Sequence, residues 1–238
     1  LEAQVRRSDQ LSSVGTLAAG MAHEIKNPLV TIKTFTQLLP ERHSDEDFRR
    51  EFSSLVAHEV SRIDGIVNDL LSFSKPAKPN LERMNLHETV EHTLKLVHEQ
   101  SLQKRIAVKV ALDAKNDLIS GDAKLLSQAL VNLCLNAIDA IETDGAITVA
   151  TTNCKHLFAN SDHPEKAVSE PCIRLLINDT GKGIDPKDLK KIFDPFFTGK
   201  SEGTGMGLSV AHGIIQEHHG AIEVESEPGR GTSFFIYL

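Results

Sequence analysis

The chain has 238 residues, of which 40% are apolar and 25% charged, and its formal net charge is -7. This length supports one or two domains with hydrophobic cores, and the composition is that of a folded globular protein. The acidic balance argues against DNA or RNA as the main partner, because binding to a phosphate backbone needs clustered Lys and Arg. No stretch approaches the roughly 20 apolar residues that span a bilayer, so we expect no membrane contact by this segment.

Residues 1–75 have a helical pattern of apolar residues. In the first part these residues recur at spacings of three, four or seven, which predicts one apolar stripe on a helix ending at Leu39-Pro40. Ser44 and Asp47 are predicted to cap a second helix. Because two antiparallel helices cannot enclose a core alone, we expect a homodimer that forms a four-helix bundle. The apolar residues are Leu11, Val14, Ala18, Met21, Ile25, Ile32, Phe35 and Leu39, followed by Phe48, Phe52, Leu55, Val56, Val60, Ile63, Ile66, Val67, Leu70 and Phe73.

Two prolines in a polar run predict a linker over residues 76–80, after which the hydrophobic period changes. Interleaved helices and strands over residues 81–238 predict an α+β two-layer domain with a mixed sheet. We therefore expect a helical hairpin domain at 1–75, followed by a two-layer sandwich domain at 81–238. The predicted strands are 106–112, 145–152, 172–178, 221–226 and 232–237, the predicted helices are 122–141 and 206–219, and residues 153–170 are predicted to form a polar loop.

His23 lies opposite the apolar stripe of the first helix, so we expect it to face solvent. Asn27 is one turn further on the same face, and Glu24 follows His23 directly. Pro28 removes a backbone N–H and favours a bend just after the histidine. An exposed imidazole beside a carboxylate and an amide is suited to act as a nucleophile. Taken alone, the pattern also fits an ordinary surface histidine.

Asn132 and Asn136 are one turn apart on the predicted helix 122–141. Amides on a helix that otherwise buries apolar residues are costly unless they bind something. Asparagine oxygens suit Mg²⁺, which also keeps waters and the phosphates of a bound nucleotide. A hydrogen-bonded pair of helices is the alternative explanation.

Two glycine-rich segments follow in the second domain. Asp179-x-Gly181-x-Gly183 follows an apolar strand, where Asp179 is suited to accept a hydrogen bond from an exocyclic amine such as adenine N6. Gly203-x-Gly205-x-Gly207 precedes a helix, with Lys200 just upstream, and such a backbone is suited to phosphate. Each pattern alone is also common in turns and loops. The Phe-rich segment 193–197 lies between them and is predicted to act as a hydrophobic latch.

The order of these motifs resembles the five sequence boxes of sensor histidine kinases. The boxes are His23-Glu24-x-x-Asn27-Pro28, Asn132/Asn136, Asp179-x-Gly181-x-Gly183, the Phe-rich stretch and Gly203-x-Gly205-x-Gly207. The surrounding sequence is most similar to the nitrogen-regulatory branch. The resemblance implies a dimerisation and phosphoacceptor bundle followed by an ATP-binding domain of the type shared with gyrase. It also implies ATP-dependent autophosphorylation, phosphoryl transfer to the receiver domain of a response regulator, and phosphatase activity toward that regulator.

The resemblance implies one role for each matched residue. His23 would be the phosphoacceptor, Glu24 its base, and Asn27 would orient water in the phosphatase reaction. Asn136 would bind Mg²⁺ and Asn132 would lie beside the phosphates of ATP. Asp179 would bind adenine, and Thr232 would have a minor role on the adenine side. The remaining expected binding residues are Gly181 and Gly183, which would let adenine approach, Gly203, Gly205 and Gly207 of the lid, and Lys200 at phosphate.

Two other classes of protein fit part of the pattern. A clamp ATPase would use water as the attacking group, but the position of its usual activating glutamate is Asn132 here. A catalytically inactive scaffold is disfavoured by the intact Asn136, Asp179 and glycine segments. The pattern leaves open whether His23 is phosphorylated in cis or in trans.

Cysteine content bears on location and on metal binding. Cys134, Cys154 and Cys172 are typical of free cytosolic thiols, so we expect a cytoplasmic segment. Cys154, His156, His163 and Cys172 have the residue types of a zinc site, but their spacing matches no closed zinc motif, so no structural metal is predicted. Because the chain begins with Leu1, we expect it to be part of a longer protein, and a membrane anchor elsewhere in that protein is left open.

Overall fold

The computed structural model describes residues 25–74, 78–158, 168–199 and 205–238. These residues form two compact units, one made by 25–74 and the other by the three later ranges. In these ranges no helix combines the length and the apolar character that crossing a bilayer requires.

The first unit consists of two helices. Helix α1 is described over residues 25–42, and α2 spans Glu46–Ser74. The ring of Phe35 on α1 stacks on the ring of Phe48 on α2, with centroids 6.0 Å apart and planes 4° apart. Phe48 is almost fully buried. The apolar stripes of the two helices therefore meet, as their spacing predicts.

The turn between α1 and α2 corrects two details of the sequence prediction. Helix α1 continues through Pro40 to residue 42, because a proline in the last turn sacrifices only one helical hydrogen bond. The cap of α2 is Asp45, whose Oδ1 accepts from the backbone N–H groups of Asp47 and Phe48, both at 3.1 Å. The predicted cap at Ser44 is thus wrong by one residue.

The second unit contains a five-stranded mixed sheet in the order β2-β4-β5-β7-β6. Strand β2 runs parallel to β4, and the other neighbours are antiparallel. A separate two-stranded sheet pairs β1 with β3. The strands are β1 (Glu82–Asn85), β2 (Ala107–Leu112), β3 (Leu118–Gly121), β4 (Ala146–Phe158), β5 (Val168–Asp179), β6 (Ala221–Glu227) and β7 (Gly231–Tyr237).

Helices cover one face of the five-stranded sheet, and the core lies between the two layers. The helices are α3 (Leu86–Leu96), α4 (His98–Gln103), α5 (Ala123–Ala140) and α6 (Gly207–Glu217). Helix α5 lies between α3 and α6 and contacts β5 and β7. Leu133 of α5 and Leu175 of β5 are completely buried there. The predicted two-layer α+β domain with a mixed sheet is confirmed.

The predicted polar loop over residues 153–170 is wrong at both of its ends, where residues 153–158 and 168–170 are strand, and residues 159–167 lie outside the described residues. Strands β4 and β5 continue as an antiparallel pair out to Phe158 and Val168. Beyond Thr151 no helix in the described part of the chain covers this end of the sheet, and Asn153, Lys155 and Leu157 are exposed. A pair of strands with solvent on both faces can be built from polar residues. Because a polar segment is also typical of a loop, the strands were not predicted from the sequence.

Helices α3 and α4 and strands β1 and β3 were not predicted. Asn85 caps α3 by accepting from the Glu88 backbone N–H at 3.2 Å, a signal that the sequence does carry. Strands β1 and β3 have four residues each, too few for alternation to stand out.

Candidate active site

The two asparagines of α5 lie beside the first residue of α6. The Asn132 side-chain amide donates to the carbonyl oxygen of Gly207 at 3.1 Å. A Cβ at Gly207 would lie 3.7 Å from both Asn132 Cγ and Asn136 Nδ2. The structure thus brings together three predicted site residues, although Gly207 lies 75 positions after Asn132 in sequence.

The buried face of α5 explains why the side-chain amides of Asn132 and Asn136 lie away from the core. Asn132 and Asn136 are half-buried, whereas Leu133 and Ala137 are buried in the core. Helix α5 begins at Asp122, whose Oδ1 accepts from Lys124 N at 3.0 Å and Leu125 N at 3.2 Å. The cap fixes the start of α5, and the buried face fixes the rotation of α5 about its axis. Together they fix the positions of the two amides relative to the sheet.

Asp179 is the last residue of β5, and only 3% of it is exposed. Its Oδ1 accepts from the Gly181 backbone N–H at 2.8 Å. Burial raises the pKa of Asp179, and backbone N–H groups of Gly181 and Thr232 act in the opposite direction by favouring the ionised form. A carboxylate has about four acceptor positions, so two backbone donors leave capacity for a further donor.

Gly181 and Gly183 lie against protein backbone. A Cβ at Gly181 would be 2.5 Å from Ala140 O, and a Cβ at Gly183 would be 2.2 Å from Glu227 O. Gly183 also has φ of +70°, which side chains disfavour. These glycines therefore allow the loop after β5 to pack onto α5 and onto the β6–β7 turn. Their expected role in admitting adenine stays a prediction.

Thr232 lies directly beside Asp179. The two residues are partners in the β5–β7 ladder, and Thr232 is buried. The hydroxyl groups of Thr232 and Ser226 are 3.0 Å apart. A Cβ at the preceding Gly231 would lie 1.9 Å from Asp179 O, so only glycine fits there. Ser226 was not singled out from the sequence.

The described part of the predicted lid is tied to the Phe-rich segment. Gly205 has φ of +64°, and its carbonyl accepts from the Phe196 backbone N–H at 3.1 Å. Phe193 stacks on His212 of α6 with centroids 4.9 Å apart, and burial lowers the pKa of His212. The Phe-rich segment is thus packed against the start and middle of α6. Lys200 and Gly203 lie outside the described residues.

Three residues of α5 that lie beside the glycine segments are on one face of the helix. Asn132, Asn136 and Ala140 are spaced four residues apart; the first two contact Gly207 and the third contacts Gly181. At 1.5 Å per residue the stretch from Asn132 to Ala140 covers about 12 Å. The two glycine segments are far apart in sequence, but both lie against the same face of α5. The distance between their two points of contact on α5 is similar to the length of a nucleotide.

In the first unit, Asn27 is exposed on α1, as predicted. Its backbone carbonyl accepts from the Thr31 hydroxyl at 3.3 Å. Pro28 is buried, and helix α1 continues through it. His23 and Glu24 lie outside the described residues, as does the backbone next to them where a bend was predicted.

His218 is a structural residue that its sequence context did not indicate. Its Nε2 accepts from the Asp122 backbone N–H at 2.9 Å, and its Nδ1 donates to Ile214 O at 2.7 Å. The ring thus joins the end of α6 to the start of α5, with Nε2 as acceptor and Nδ1–H as donor. His219, not Gly220, has the positive φ of 57° at this terminus.

Comparison with known proteins assigns both units. The His Kinase A phospho-acceptor domain family matches residues 13–79, and the histidine kinase-, DNA gyrase B- and HSP90-like ATPase family matches residues 121–238. The sensor histidine kinase ZraS of Salmonella typhi is 37% identical over 98% of this chain and 47% of its own length. The signal transduction histidine-protein kinase AtoS of Escherichia coli is 37% identical over 99% of this chain and 36% of its own length.

Solved structures agree with this assignment. The crystal structure of histidine kinase ThkA in complex with response regulator protein TrrA is 26% identical, with a TM-score of 0.79 over 100% of this chain and 65% of that chain. Acinetobacter baumannii histidine kinase AdeS, at 22% identity and a TM-score of 0.65, shares the fold over 91% of this chain and 96% of its own. The chain spans about half the length of the ZraS relatives it matches. The narrower likeness to the nitrogen-regulatory branch stays a prediction. With a phospho-acceptor domain followed by an ATPase domain, the chain belongs to the sensor histidine kinases.

Proposed function

We propose that this chain is the catalytic core of a sensor kinase that uses ATP to phosphorylate its own His23. The phosphoryl group then passes to an aspartate on the receiver domain of a response regulator. The observation that carries the proposal is the hydrogen bond from Asn132 to Gly207, one turn from Asn136 on α5, together with the buried carboxylate of Asp179, whose neighbour Gly181 packs on the same helix at Ala140. This arrangement supports a nucleotide lying along the face of α5.

The residues present fit Mg-ATP. Asp179 has acceptor capacity for the adenine amino group, and Thr232 and Gly181 lie directly beside it. The first N–H groups of α6 have no partner within the helix, which favours phosphate at this end. Asn136 would hold Mg²⁺ through its side-chain oxygen, together with phosphate oxygens and water. Bound Mg²⁺ would neutralise the charge that develops on the transferred phosphoryl group.

In the first unit we assign His23 as the nucleophile and Glu24 as its base. The imidazole must be neutral to attack, so the rate is expected to fall below about pH 6.5 as the ring becomes protonated. Asn27 would orient a water molecule in the reverse, phosphatase reaction toward the regulator. Its exposed position on α1 supports this assignment.

Two further assignments concern partners. The hairpin of α1 and α2 exposes large apolar side chains such as Leu29, Val30, Val60 and Val67, which supports a homodimer formed through this unit. The ThkA structure contains a response regulator protein, which supports a receiver domain as the second partner.

The test is incubation of the purified chain with ATP labelled at the γ-phosphate. We expect label on the protein that acid removes and alkali leaves, because phosphohistidine is acid-labile. His23→Gln should abolish the label but leave ATP binding intact, and His92→Gln, at an exposed position on α3, serves as the matched control. Full labelling of the His23 variant would contradict the proposal. Release of inorganic phosphate without labelled protein would instead indicate the clamp ATPase.

A further inference from the structure

Two of the three cysteines face each other across adjacent strands. Cys154 of β4 and Cys172 of β5 are register partners, and their Sγ atoms are 3.1 Å apart. Both are free thiols, since a disulfide bond would bring the sulfurs to about 2.05 Å. The pair is close enough for a bond to form after a small movement.

The register also gives the backbone geometry that a disulfide needs. Ile173 exchanges both backbone hydrogen bonds with Leu238, so it faces the β7 side of β5. Because alternate residues of a strand face alternate neighbours, Cys172 faces β4 in a hydrogen-bonded pair with Cys154. Cα atoms in such pairs are about 5.5 Å apart, and disulfides usually join Cα atoms about 4.4–6.8 Å apart.

The surroundings of the two thiols differ. Cys172 is buried and Cys154 is only partly covered. The ring of His156 stacks on the ring of Tyr237 at 3.8 Å; their strands flank β5, on which Cys172 lies. An oxidant in solvent therefore reaches Cys154 first. Burial raises the pKa of Cys172 to about 12, so its thiol is unreactive until an adjacent electrophile forms.

We propose that Cys154 and Cys172 are an oxidation site that forms a reversible cross-strand disulfide when the protein meets a peroxide. The Cys154 sulfur attacks peroxide, the O–O bond breaks, and the sulfur becomes a sulfenic acid as water is released. The Cys172 sulfur then attacks the sulfenic sulfur, forming the S–S bond while the S–O bond breaks and a second water leaves. Two thiols are oxidised by two electrons, and one peroxide is reduced to two waters.

The site is separate from the nucleotide residues. Residues of β5 alternate between the two sheet faces; Asp179 shares its face with the core residues Leu175 and Ile177, and Cys172 belongs to the other face. The disulfide would join β4 to the strand that ends in Asp179 without entering the proposed site. The inference does not depend on the proposed function.

The test is graded treatment of the native chain with hydrogen peroxide, followed by alkylation and mass spectrometry. We expect the loss of two hydrogen atoms, a non-reduced peptide pair that contains Cys154 and Cys172, and full reversal by dithiothreitol. Cys134 is the internal control, because it is buried in the helical core, and it should stay alkylatable after unfolding. The oxidised chain should also melt at a higher temperature, because the bond constrains the unfolded chain.

Single variants separate the two steps. Cys172→Ser should leave Cys154 as a sulfenic acid that dimedone traps, whereas Cys154→Ser should leave Cys172 unmodified at the same dose. Oxidation of Cys154 to sulfinic acid in the native chain without any cross-linked peptide would overturn the proposal. So would disulfides found only between two chains on a non-reducing gel.

Discussion

The Asn132 side-chain amide on α5 donates a 3.1 Å hydrogen bond to the carbonyl oxygen of Gly207, the residue at which α6 begins. A side chain thus holds the start of one helix against the middle of another. Asn136 lies one turn along the same face, also within contact distance of Gly207. On the proposed assignment the two amides would have separable tasks, one in placing the α6 terminus and one in binding metal.

Asn132→Ala and Asn136→Ala are expected to weaken ATP binding in different ways. Loss of the Asn132 bond should cost about 0.5–1.5 kcal/mol of binding free energy with or without Mg²⁺. Asn136→Ala should lower ATP affinity tenfold or more, about 1.4 kcal/mol, but only when Mg²⁺ is present. Calorimetric titration of both variants with Mg²⁺ and with a chelator makes the comparison. An Asn136 effect that persists undiminished in chelator would exclude its role as a ligand.

Asp179→Asn is expected to remove ATP binding without unfolding the protein. Because burial raises the pKa of Asp179, the folded state favours the neutral form, so ionisation lowers stability as pH rises above the ordinary 3.8. Asn is neutral and nearly isosteric, and it escapes this cost. Asn has a single acceptor oxygen, and with that oxygen on the Gly181 N–H its NH2 group would meet the adenine amino group, donor against donor. A loss of about 1.5–3 kcal/mol, tenfold or more in Kd, should follow.

Thermal denaturation and nucleotide titration of the same Asp179→Asn sample provide the check. We expect the melting temperature to stay within a few degrees of the native value or to rise. A large fall in melting temperature together with lost binding would indicate that Asp179 is a structural residue.

Gly183→Ala is expected to destabilise the second unit. The added Cβ would meet Glu227 O at 2.2 Å, and the φ of +70° is unfavourable for Ala. We expect a cost of about 1–3 kcal/mol, a fall of several degrees in melting temperature at about 2–4 °C per kcal/mol. Gly213→Ala within α6 is the matched control, since among the described residues nothing lies within 4 Å of its Cβ position. That variant should be stabilised by about 0.5–1 kcal/mol, and equal melting temperatures for the two would contradict a backbone clash at Gly183.

The first unit is expected to hold a homodimer. Light scattering of the chain at micromolar concentration should give twice the mass of one chain. Val60→Glu, at a large exposed apolar residue of α2, should shift the equilibrium toward monomer, because it places a charge in an apolar interface. Leu102→Glu on α4 is an equally exposed control that should leave the dimer intact. A monomeric native chain would refute the assignment.

Asn27→Ala is expected to separate the two activities of the first unit. The side chain of Asn27, four residues after His23 in sequence, is exposed, and its amide can orient water but cannot take the proton from the imidazole. Autophosphorylation should stay within a few-fold, whereas dephosphorylation of the regulator should slow at least ~10-fold, about 1.4 kcal/mol of lost positioning. Kinase rate, phosphatase rate and melting temperature are measured on the same variant. Equal loss of both activities with a lower melting temperature would indicate a merely structural role beside Pro28.

Much of the fold can be predicted from the periodicity of apolar residues in the sequence. This periodicity arises because one side of each helix or strand is buried against a common core. Helix α5 was predicted at 122–141 and occurs at Ala123–Ala140, and β7 was predicted at 232–237 and occurs at Gly231–Tyr237. In both, one side is buried against the other layer, and the apolar pattern is strong.

The missed features depend on tertiary context. The outer half of the β4–β5 pair has no helix above it, so its polar residues look like loop. His218 joins α6 to α5 through the Asp122 backbone N–H, which is 96 positions away in sequence. Local sequence carries no signal for such a contact, whereas the glycine segments and paired asparagines are visible as motifs.

The burial of Asp179 also bears on which purine nucleotide the kinase accepts. Guanine presents a carbonyl oxygen where adenine presents its amino group, so GTP would place one acceptor against another at a carboxylate that is only 3% exposed. Water cannot readily enter to relieve that mismatch, and a site built to receive a donor rejects an analogue without it by factors of about 10⁴–10⁵. On the proposed assignment, the rate of phosphorylation by a kinase with this site depends on the concentration of ATP and does not respond to changes in the concentration of GTP.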